Sequence, residues 1–424
     1  IRKKCSSGVP IVWGGIHPTI DPPSCRNYAD YCCIGEGEYA FADFLDNLDG
    51  KTLLKPVSGM TTPDSREGFT GVTIHDLDVL PVPRYLPPSA WVTHEGIVQP
   101  LTQALMRKHN RYHGSYLAVM TSRGCPFSCS YCCNGLLQEI HGKRIRKRTP
   151  ESVMSEIEDA LSSAGQKFSY ISIHDDCFTA HSTEWLETFV RYLKPIQIPL
   201  AFRAIPQFVT QEKLSLLKEA PVGMVVLGMQ SGSQRTLTEV YLRKHATESL
   251  LACARLLDEH DIPAVYDIIV DNPYETIADR EETVHAVSQL PRSAYISVFS
   301  LTFFKHTALY DKAKGDGYQV DAHLGKKPDY WEKDSPEVNA LKIAALVGEP
   351  YALKILRNAS GSDGLLLKRL SQIAVRVLEP LRHLKMLYLS CGKRNPEFVR
   401  QLFVHARDYA YRYFSFSRTN RMAH

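Results

Sequence analysis

Several features that define whole classes of proteins are missing from this sequence. Its longest strongly apolar run, from Tyr295 to Phe304, is far shorter than the roughly 18 residues that suggest a membrane span. No basic segment followed by an apolar stretch and a cleavage site opens the chain, as it would in an exported protein. The first residue is Ile1 rather than Met, and we expect further protein upstream of it. These features predict a cytoplasmic protein with no membrane span.

An excess of charge of one sign is also missing. The 50 Lys and Arg residues nearly balance the 46 Asp and Glu residues, which leaves a net charge of +4. Such a balance gives no reason to expect nucleic acid as a partner. One basic stretch, residues 143–148, lies just before a predicted helix, and we interpret it as a solvated face rather than a phosphate-binding patch.

The cysteines do not form the even set that a disulfide framework needs. There are 11, and three of them, Cys125, Cys129 and Cys132, are closely spaced, which is typical of reduced thiolates that bind metal. A structural zinc site usually takes four ligands. Cys133 is badly placed to join its neighbour on one ion, and no later Cys-x2-Cys or His-x3-His pair completes such a site.

The second half of the sequence alternates between two patterns. From Tyr116 onward, short β-branched or aromatic runs alternate with amphipathic helical windows, which is typical of repeated β-α units around a parallel sheet. Thr149 and Thr210 are predicted helix N-caps. The six predicted strands are 116–121, 170–174, 200–203, 224–227, 264–270 and 296–302. Six units predict an α/β fold, a partial (β/α)6 TIM-like barrel that is open on one side for substrate.

The remaining segments predict a four-part chain. Residues 9–44 contain two short apolar strands with glycines at their ends, as in the last part of an α/β unit. Residues 51–115 are rich in Pro, Asp and Gly, which is typical of a linker with isolated strands. The chain becomes helical and charged towards its end, where aromatic side chains at 409–416 are expected to pack on the barrel. The predicted parts are 1–50, 51–115, 116–315 and 316–424.

The three cysteines lie in a loop that directly follows the first barrel strand. Catalytic loops of barrel folds emerge at that edge. A Cys-x3-Cys-x2-Cys loop suits three irons of a four-iron cluster, because thiolates are the usual cluster ligands. The fourth iron then has no protein ligand, and it is free to chelate the amino and carboxylate groups of a cofactor.

This loop resembles the signature of the radical S-adenosylmethionine (SAM) superfamily, including the aromatic Tyr131 before the third cysteine. The resemblance implies a 4Fe-4S cluster and SAM, which together yield a 5'-deoxyadenosyl radical that removes a hydrogen atom from substrate. The cofactor carries the difficult chemistry, and the protein positions it. The resemblance also implies that Tyr131 lies near the adenine, and that an electron donor such as flavodoxin or ferredoxin is a partner.

Other segments extend this resemblance to the cofactor site. Asp175 and Asp176 end the second strand, where carboxylates can accept hydrogen bonds from the cofactor's ammonium, although acids at a strand end often cap a helix. Gln230, Ser231 and Ser233 follow the fourth strand and resemble the segment that meets the cofactor's carboxylate and ribose.

Two arginines stand apart from these segments. Arg243 matches an arginine that pairs with the cofactor's carboxylate in the family, a solvated helix arginine being the alternative. Arg203, on the third strand, points either to the barrel interior or to the helix layer.

Two positions depart from the family pattern. Asp271 and Asn272 stand in place of the usual residues of a Gly-x-Pro-x-Glu-Thr turn, so we expect an altered turn there. Lys305 and His306 stand where many relatives have Pro-Gly, so the adenine contact at that loop is expected to differ.

Residues 12–19 and 34–38 resemble the closing part of the cobalamin-binding domain that precedes the barrel in one large branch of the superfamily. Glycines at the ends of parallel strands let the backbone approach a large ring or its nucleotide tail. The resemblance implies a Rossmann-like cobalamin module with contacts at Gly14, Gly15, Gly35, Glu36 and Gly37. The segment that would carry a cobalt-ligating histidine falls upstream of Ile1, and His17 is interpreted as an ordinary loop residue.

The resemblance implies methyl transfer from methylcobalamin to a small-molecule substrate, with ring-forming oxidation as the next candidate. Methylthiolation of tRNA or protein is an alternative, although the small β-barrel tail that binds RNA in that group is not recognisable. An iron-sulfur electron-transfer or structural metal-binding module is the alternative from another class, and three cysteines match it poorly.

Overall fold

The computed structural model describes residues 9–49, 52–64, 71–84, 90–102, 104–105, 116–163, 168, 170–244, 246–320, 335–357, 369–375 and 377–378. The aromatic residues at 409–416, and the rest of the predicted helical tail after residue 378, lie outside these described residues. Among the described helices, none has both the length and the hydrophobicity that a bilayer crossing requires.

The amino-terminal part contains a small mixed sheet. Its strands and helices are β1 (Val12–Trp13), α1 (Ile16–Ile20), β2 (Tyr31–Cys33), α2 (Gly37–Asp46), β3 (Leu48–Asp49), β4 (Thr52–Leu53), β5 (Met60–Thr61), β6 (Trp91–His94) and β7 (Ile97–Pro100). Strands β1 and β2 are parallel, and β5 adds to β2 in the antiparallel sense. Since β5 falls within the predicted linker, this sheet continues past residue 50. The predicted domain boundaries remain predictions.

A second group of elements forms the larger part of the molecule. It comprises β8 (Tyr116–Val119), β9 (Ser122–Arg123), α3 (Asn134–His141), β10 (Arg146–Lys147), α4 (Pro150–Ser163), β11 (Tyr170–Ile173), α5 (Thr183–Leu193), β12 (Leu200–Ala204), α6 (Gln211–Lys218), β13 (Val222–Gln230), α7 (Thr247–Glu259), β14 (Ala264–Val270), α8 (Ile277–Ser288), β15 (Tyr295–Ser300), α9 (Ala308–Gly315), α10 (Pro336–Leu346) and α11 (Glu349–Arg357). Six strands run parallel in the order β15-β14-β13-β12-β11-β8. All six predicted strands and the open α/β architecture are confirmed.

Side chains alternate between the two faces of this sheet, as period-2 strands require. In β12, Leu200, Phe202 and Ala204 are buried against the helices, whereas Arg203 points to the opposite, inner face and is exposed. Fully burying one such large apolar side chain contributes about 1.5–3 kcal/mol. The helix-facing side of the sheet therefore holds the main core, and the inner face is left for chemistry.

The two helices whose starts were predicted begin at the expected residues. The Thr149 and Thr210 hydroxyls accept hydrogen bonds from the backbone of Ser152 and Lys213, each at 3.3 Å, which confirms both N-caps. In the predicted linker, the Asp78 carboxylate accepts a hydrogen bond from the Thr149 N–H at 3.0 Å. The linker therefore packs on this region. Helices α10 and α11 pack against α8 and extend the helical layer.

Candidate active site

The cysteine loop leaves the sheet through a short ladder. Strands β9 and β10 pair antiparallel, so that the loop and α3 are closed off between them. Gly124 has φ +102°, a left-handed conformation that favours glycine. From α3, the Gln138 amide donates to the backbone carbonyls of Cys125 at 2.7 Å and Phe127 at 3.0 Å. The backbone of the loop is thus held from both sides.

The three predicted ligands lie together in a partly buried site. Burial, together with the smaller effects of the Asp176, Cys129 and Cys132 charges, raises the pKa of the Cys125 thiol to about 12. Burial also raises the pKa of Cys129, against the opposing effect of the Arg243 guanidinium. Thiols that resist ionisation alone become thiolates when a metal cation replaces the proton. This donor set therefore fits an iron-sulfur cluster chemically.

A site for a single metal ion would need several ligands that converge on one point. Over the part of the chain that the structure describes, no three His, Cys, Asp or Glu side chains surround the position of one ion. Cluster ligands each bind a different iron, so they do not have to converge on one point. The nine described cysteines, Cys133 among them, are all free of disulfides.

Three predicted elements of the cofactor site converge beside the cysteines. Arg243, which is buried, donates from Nη1 to the Tyr131 hydroxyl at 3.0 Å and lies close enough to Cys129 to affect its pKa. A Cβ built on Gly228 would lie 3.3 Å from that guanidinium and 2.4 Å from Nε2 of Gln230. Arg243 is therefore not a solvated helix residue, and the strand end, the arginine and the loop form one site.

Ser130 fixes the position of the loop against two other elements. Its hydroxyl donates to the Val240 carbonyl at 2.5 Å, and its backbone N–H donates to the Tyr241 carbonyl at 3.0 Å. Its own carbonyl accepts from the Leu309 N–H at the start of α9. The Tyr241 ring packs edge-on against Tyr131, with centroids 4.9 Å apart. The loop, the segment before Arg243 and α9 are therefore held together.

The structure corrects the prediction for Asp175. Its buried carboxylate accepts from the Thr121 backbone at 2.7 Å, the Thr121 hydroxyl at 2.5 Å and the Ser122 hydroxyl at 2.6 Å. These bonds occupy both oxygens, so Asp175 supports the entry to the cysteine loop instead of facing a cofactor. Asp176 is exposed, and its charge raises the pKa of Cys125 after the larger effect of burial. Asp176 is thus the carboxylate at this strand end that faces the cysteines.

Ser231 and Ser233 are a second correction. Both are buried, and their hydroxyls donate to Glu275 at 2.9 Å and Asp279 at 2.6 Å. A Cβ on Gly232 between them would lie 2.6 Å from the Thr283 Cα atom. Both hydroxyls therefore anchor the end of β13 to the start of α8. Of the three polar residues predicted there, Gln230 is the one whose amide, like the Arg243 guanidinium, lies beside Gly228.

Glu36 has a role that the sequence did not predict. Its Oε2 accepts from Arg146 Nη1 at 2.6 Å and from the Ile74 backbone at 2.6 Å, and its Oε1 lies 2.9 Å from Arg123 Nη1. Glu36 therefore clamps the amino-terminal sheet to the β9-β10 ladder and is not available to a cofactor. Because Arg146 is buried, the interpretation of residues 143–148 as a solvated face is wrong at this position.

The predicted cobalamin contacts divide into two groups. Gly14 and Gly15 are exposed after β1, and no atom lies within 4 Å of a Cβ built on Gly15. A Cβ on Gly35 would lie 2.6 Å from the Val72 carbonyl oxygen, so Gly35 serves close packing within the module. Gly37 begins α2, where a Cβ would lie 3.2 Å from the Cys33 sulfur. His17, which was interpreted as a loop residue, lies in α1, where it stacks on Trp13 and hydrogen-bonds to Ser24.

Both segments that depart from the family pattern make contacts with other parts of the protein. Asp271 takes the left-handed conformation, with φ +59°, while the Asn272 side chain is buried and donates to the Tyr241 hydroxyl at 3.2 Å. Lys305 lies 3.1 Å from Asp21 and His306 lies 3.7 Å from it. The loop before α9 is therefore ion-paired to the amino-terminal part, a contact that no local sequence pattern indicated.

Known proteins resemble this chain across most of its length. The model of the Radical SAM superfamily matches residues 119–287. An uncharacterized methyltransferase of Pyrococcus horikoshii is 27% identical over 370 residues, which are 85% of this chain and 73% of that protein. Anaerobic magnesium-protoporphyrin IX monomethyl ester cyclase of Synechocystis sp. is 27% identical over 289 residues, which are 66% of this chain. The chain spans about half, 53%, of the cyclase.

A solved structure agrees with the fold over nearly the whole chain. The cobalamin-dependent S-adenosylmethionine radical enzyme OxsB, with aqua-cobalamin bound, superposes with a TM-score of 0.58 and 15% identity. The superposition covers 96% of this chain and 67% of OxsB. At this level of identity, the likeness establishes the architecture alone.

Proposed function

We propose, from the premise that this chain belongs to the radical SAM superfamily, that Cys125, Cys129 and Cys132 ligate three irons of a 4Fe-4S cluster and leave the fourth iron to SAM. When bound, the reduced cluster and SAM supply a 5'-deoxyadenosyl radical. The single observation that carries the proposal is the meeting of Cys129, Tyr131 and Arg243 in one site.

Arg243 is proposed to bind the carboxylate of SAM. A guanidinium has five N–H donors in a planar fork that matches a carboxylate, and the Tyr131 hydroxyl accepts from one guanidinium nitrogen of Arg243. This bond orients the fork beside Gly228. Asp176, the exposed carboxylate near Cys125, is proposed to accept hydrogen bonds from the ammonium of SAM.

The exposed Gly14-Gly15 turn is proposed to meet cobalamin. The turn lies at the carboxyl end of β1, which is parallel to β2, and ligands of α/β folds bind at such edges. The open space beside Gly15 leaves room for a large planar group. The likeness to OxsB, which carries aqua-cobalamin, supports the same assignment.

The reaction is proposed to be methyl transfer to a small-molecule substrate, with cobalamin as the methyl carrier. The methyltransferase relative supports this reaction, and the cyclase relative supports ring-forming oxidation as the second candidate. We also propose that a small protein such as flavodoxin or ferredoxin delivers the reducing electron in the cytoplasm. The chain spans 73% of the methyltransferase relative and 53% of the cyclase relative, so the reaction and its partners are proposals.

The proposal is tested by anaerobic reconstitution with iron and sulfide, followed by dithionite reduction with SAM and chromatography for 5'-deoxyadenosine. We expect Cys129→Ala to lose the cluster absorption and the product. Cys133→Ala is the matched control, because it removes the adjacent thiol outside the motif and should keep iron content unchanged. A full cluster and normal product in Cys129→Ala would refute the ligand assignment.

A further inference from the structure

The inner face of the barrel carries one acid and one base. Among all the residues of β8, β11, β12, β13, β14 and β15, the charged ones are Arg203 and Asp267. Alternation places both on the inner face, since their neighbours along each strand are buried against the helices. Charged groups are costly inside a protein unless they are paired or bind something.

The strand register places the two side chains near each other. Arg203 is level with Val226 on β13, and Val226 is level with Val265 on β14. Asp267 is two residues further along β14, beside Gly228. Strands two apart in a sheet are separated by about 10 Å and two residues along a strand add about 7 Å, so the two Cα atoms lie about 12 Å apart, a span that the two side chains together cross in large part. Arg203 and Asp267 therefore flank a common space on the inner face.

Arg203 and Asp267 make no short-range polar contact within the described part of the protein, although the two charges influence each other. No ion pair within 4.0 Å and no hydrogen bond joins the Arg203 or Asp267 side chain to another described residue. Arg203 is exposed to the inner space. Burial raises the pKa of Asp267 to about 6, although the Arg203 charge lowers it. Both groups have hydrogen-bonding capacity left for a ligand.

This space lies next to the cofactor site proposed above. Gly228, the residue level with Asp267, is also the one whose Cβ would lie 3.3 Å from the Arg243 guanidinium. A molecule held between Arg203 and Asp267 would thus lie close to the place where the radical forms.

We propose that Arg203 and Asp267 form the polar end of the substrate site, where Arg203 binds a carboxylate or phosphorus oxyanion and Asp267 accepts a hydrogen bond from a donor on the same molecule. This inference rests on the proposed function. It assigns the substrate class: a small molecule with an oxyanionic group and a neighbouring hydroxyl, amine or amide.

The test uses the holoenzyme with its cluster and saturating SAM, so that the proposed SAM contact at Arg243 is already filled. Binding of benzoate, phenylphosphonate and uncharged benzamide is measured by ligand-observed NMR under anaerobic conditions. We expect at least one oxyanion to bind and benzamide not to bind, and the stronger oxyanion distinguishes a carboxylate from a phosphorus site. Arg203→Gln should weaken oxyanion binding by about tenfold or more.

Three further variants make the result specific. Arg203→Lys keeps the charge and should retain part of the affinity. Asp267→Asn removes a nearby negative charge and should strengthen oxyanion binding about two- to threefold. Arg255→Gln, on the exposed face of α7, is the matched control and should change nothing.

The outcomes separate this inference from the proposed function. If neither oxyanion binds, or if Arg203→Gln binds as wild type does, the substrate site is refuted. Formation of 5'-deoxyadenosine by the wild type is measured on the same preparation. Its absence refutes the proposed function, whereas its presence together with unaltered oxyanion binding in Arg203→Gln refutes only the substrate site.

Discussion

Glu36 of the amino-terminal part and Arg146 of the cysteine-loop ladder form a buried ion pair, with Oε2 and Nη1 2.6 Å apart. The same carboxylate holds Arg123, which is two residues before Cys125. Removing one partner of a buried pair is costly, because the other charge is left without compensation. The shape of the cysteine loop thus depends on a residue far away in the sequence.

Glu36→Gln is expected to destabilise the protein by about 3 kcal/mol, because Arg146 would lose its ionic partner in a buried position. The loss should appear as a lower urea midpoint of the protein without its cluster. Glu38→Gln is the matched control: Glu38 also pairs with Arg123, but it is exposed and does not touch Arg146. An exposed pair is worth about 0–1 kcal/mol. Equal losses in the two variants would contradict the clamp.

The clamp also has a pH signature. The Arg146 and Arg123 guanidinium groups and the Ile74 N–H outweigh burial, and the pKa of Glu36 falls to about 2. A carboxylate whose pKa is lowered on folding stabilises the protein fully above its ordinary pKa, near 4.5, and loses that contribution as pH falls towards 2. Urea midpoints measured from pH 6 to pH 2.5 should therefore fall less steeply in Glu36→Gln than in wild type. Parallel curves would show that Glu36 is not the titrating group.

A substitution at Asp175 tests whether this residue supports the cysteine loop or binds a cofactor. Asp175→Asn should destabilise the cluster-free protein by about 3 kcal/mol, because an amide cannot accept the bonds of Thr121 and Ser122 as a carboxylate does. The measurement is the thermal or urea midpoint before reconstitution. Asp176→Asn, the exposed neighbour, should leave that midpoint unchanged. A cluster-free Asp175→Asn protein with wild-type stability would contradict this supporting role of Asp175.

Local patterns in the sequence were sufficient for the strands and helix starts. The β-branched and aromatic run at residues 264–270 predicts β14 to the residue, and Thr149 precedes a helical window with a regular apolar period. Local patterns do not indicate which distant residue a side chain will contact. Glu36 and Arg146 are 110 residues apart in the chain, and Ser231 and Glu275 are 44 apart.

The same limit explains which site residues were wrong. Ser231, Ser233 and Asp175 have the chemistry that a cofactor needs, and their position at strand ends is right, but their hydrogen bonds are used within the protein. The resemblance places Arg243 at the cofactor site and its hydrogen bond to Tyr131 puts it beside the cysteine loop, while its pairing with the SAM carboxylate stays a prediction. No sequence pattern indicated a role for Asp267. A single acid in a strand becomes significant only when the sheet brings it near Arg203.

Arg243→Lys should weaken SAM binding by about tenfold or more while the cluster is retained, because an ammonium cannot form the two parallel bonds that a guanidinium forms with a carboxylate. The readout is the change that SAM causes in the electron paramagnetic resonance spectrum of the reduced cluster, titrated with SAM. Tyr131→Phe removes one bond to Arg243 and should shift the titration in the same direction by a smaller factor, because the fork is then oriented only by its packing. Arg255→Gln is again the control for loss of an arginine. If the titration midpoint of Arg243→Lys equals that of wild type at equal iron content, the SAM carboxylate is bound elsewhere, and Arg243 serves only to hold Tyr131 in place.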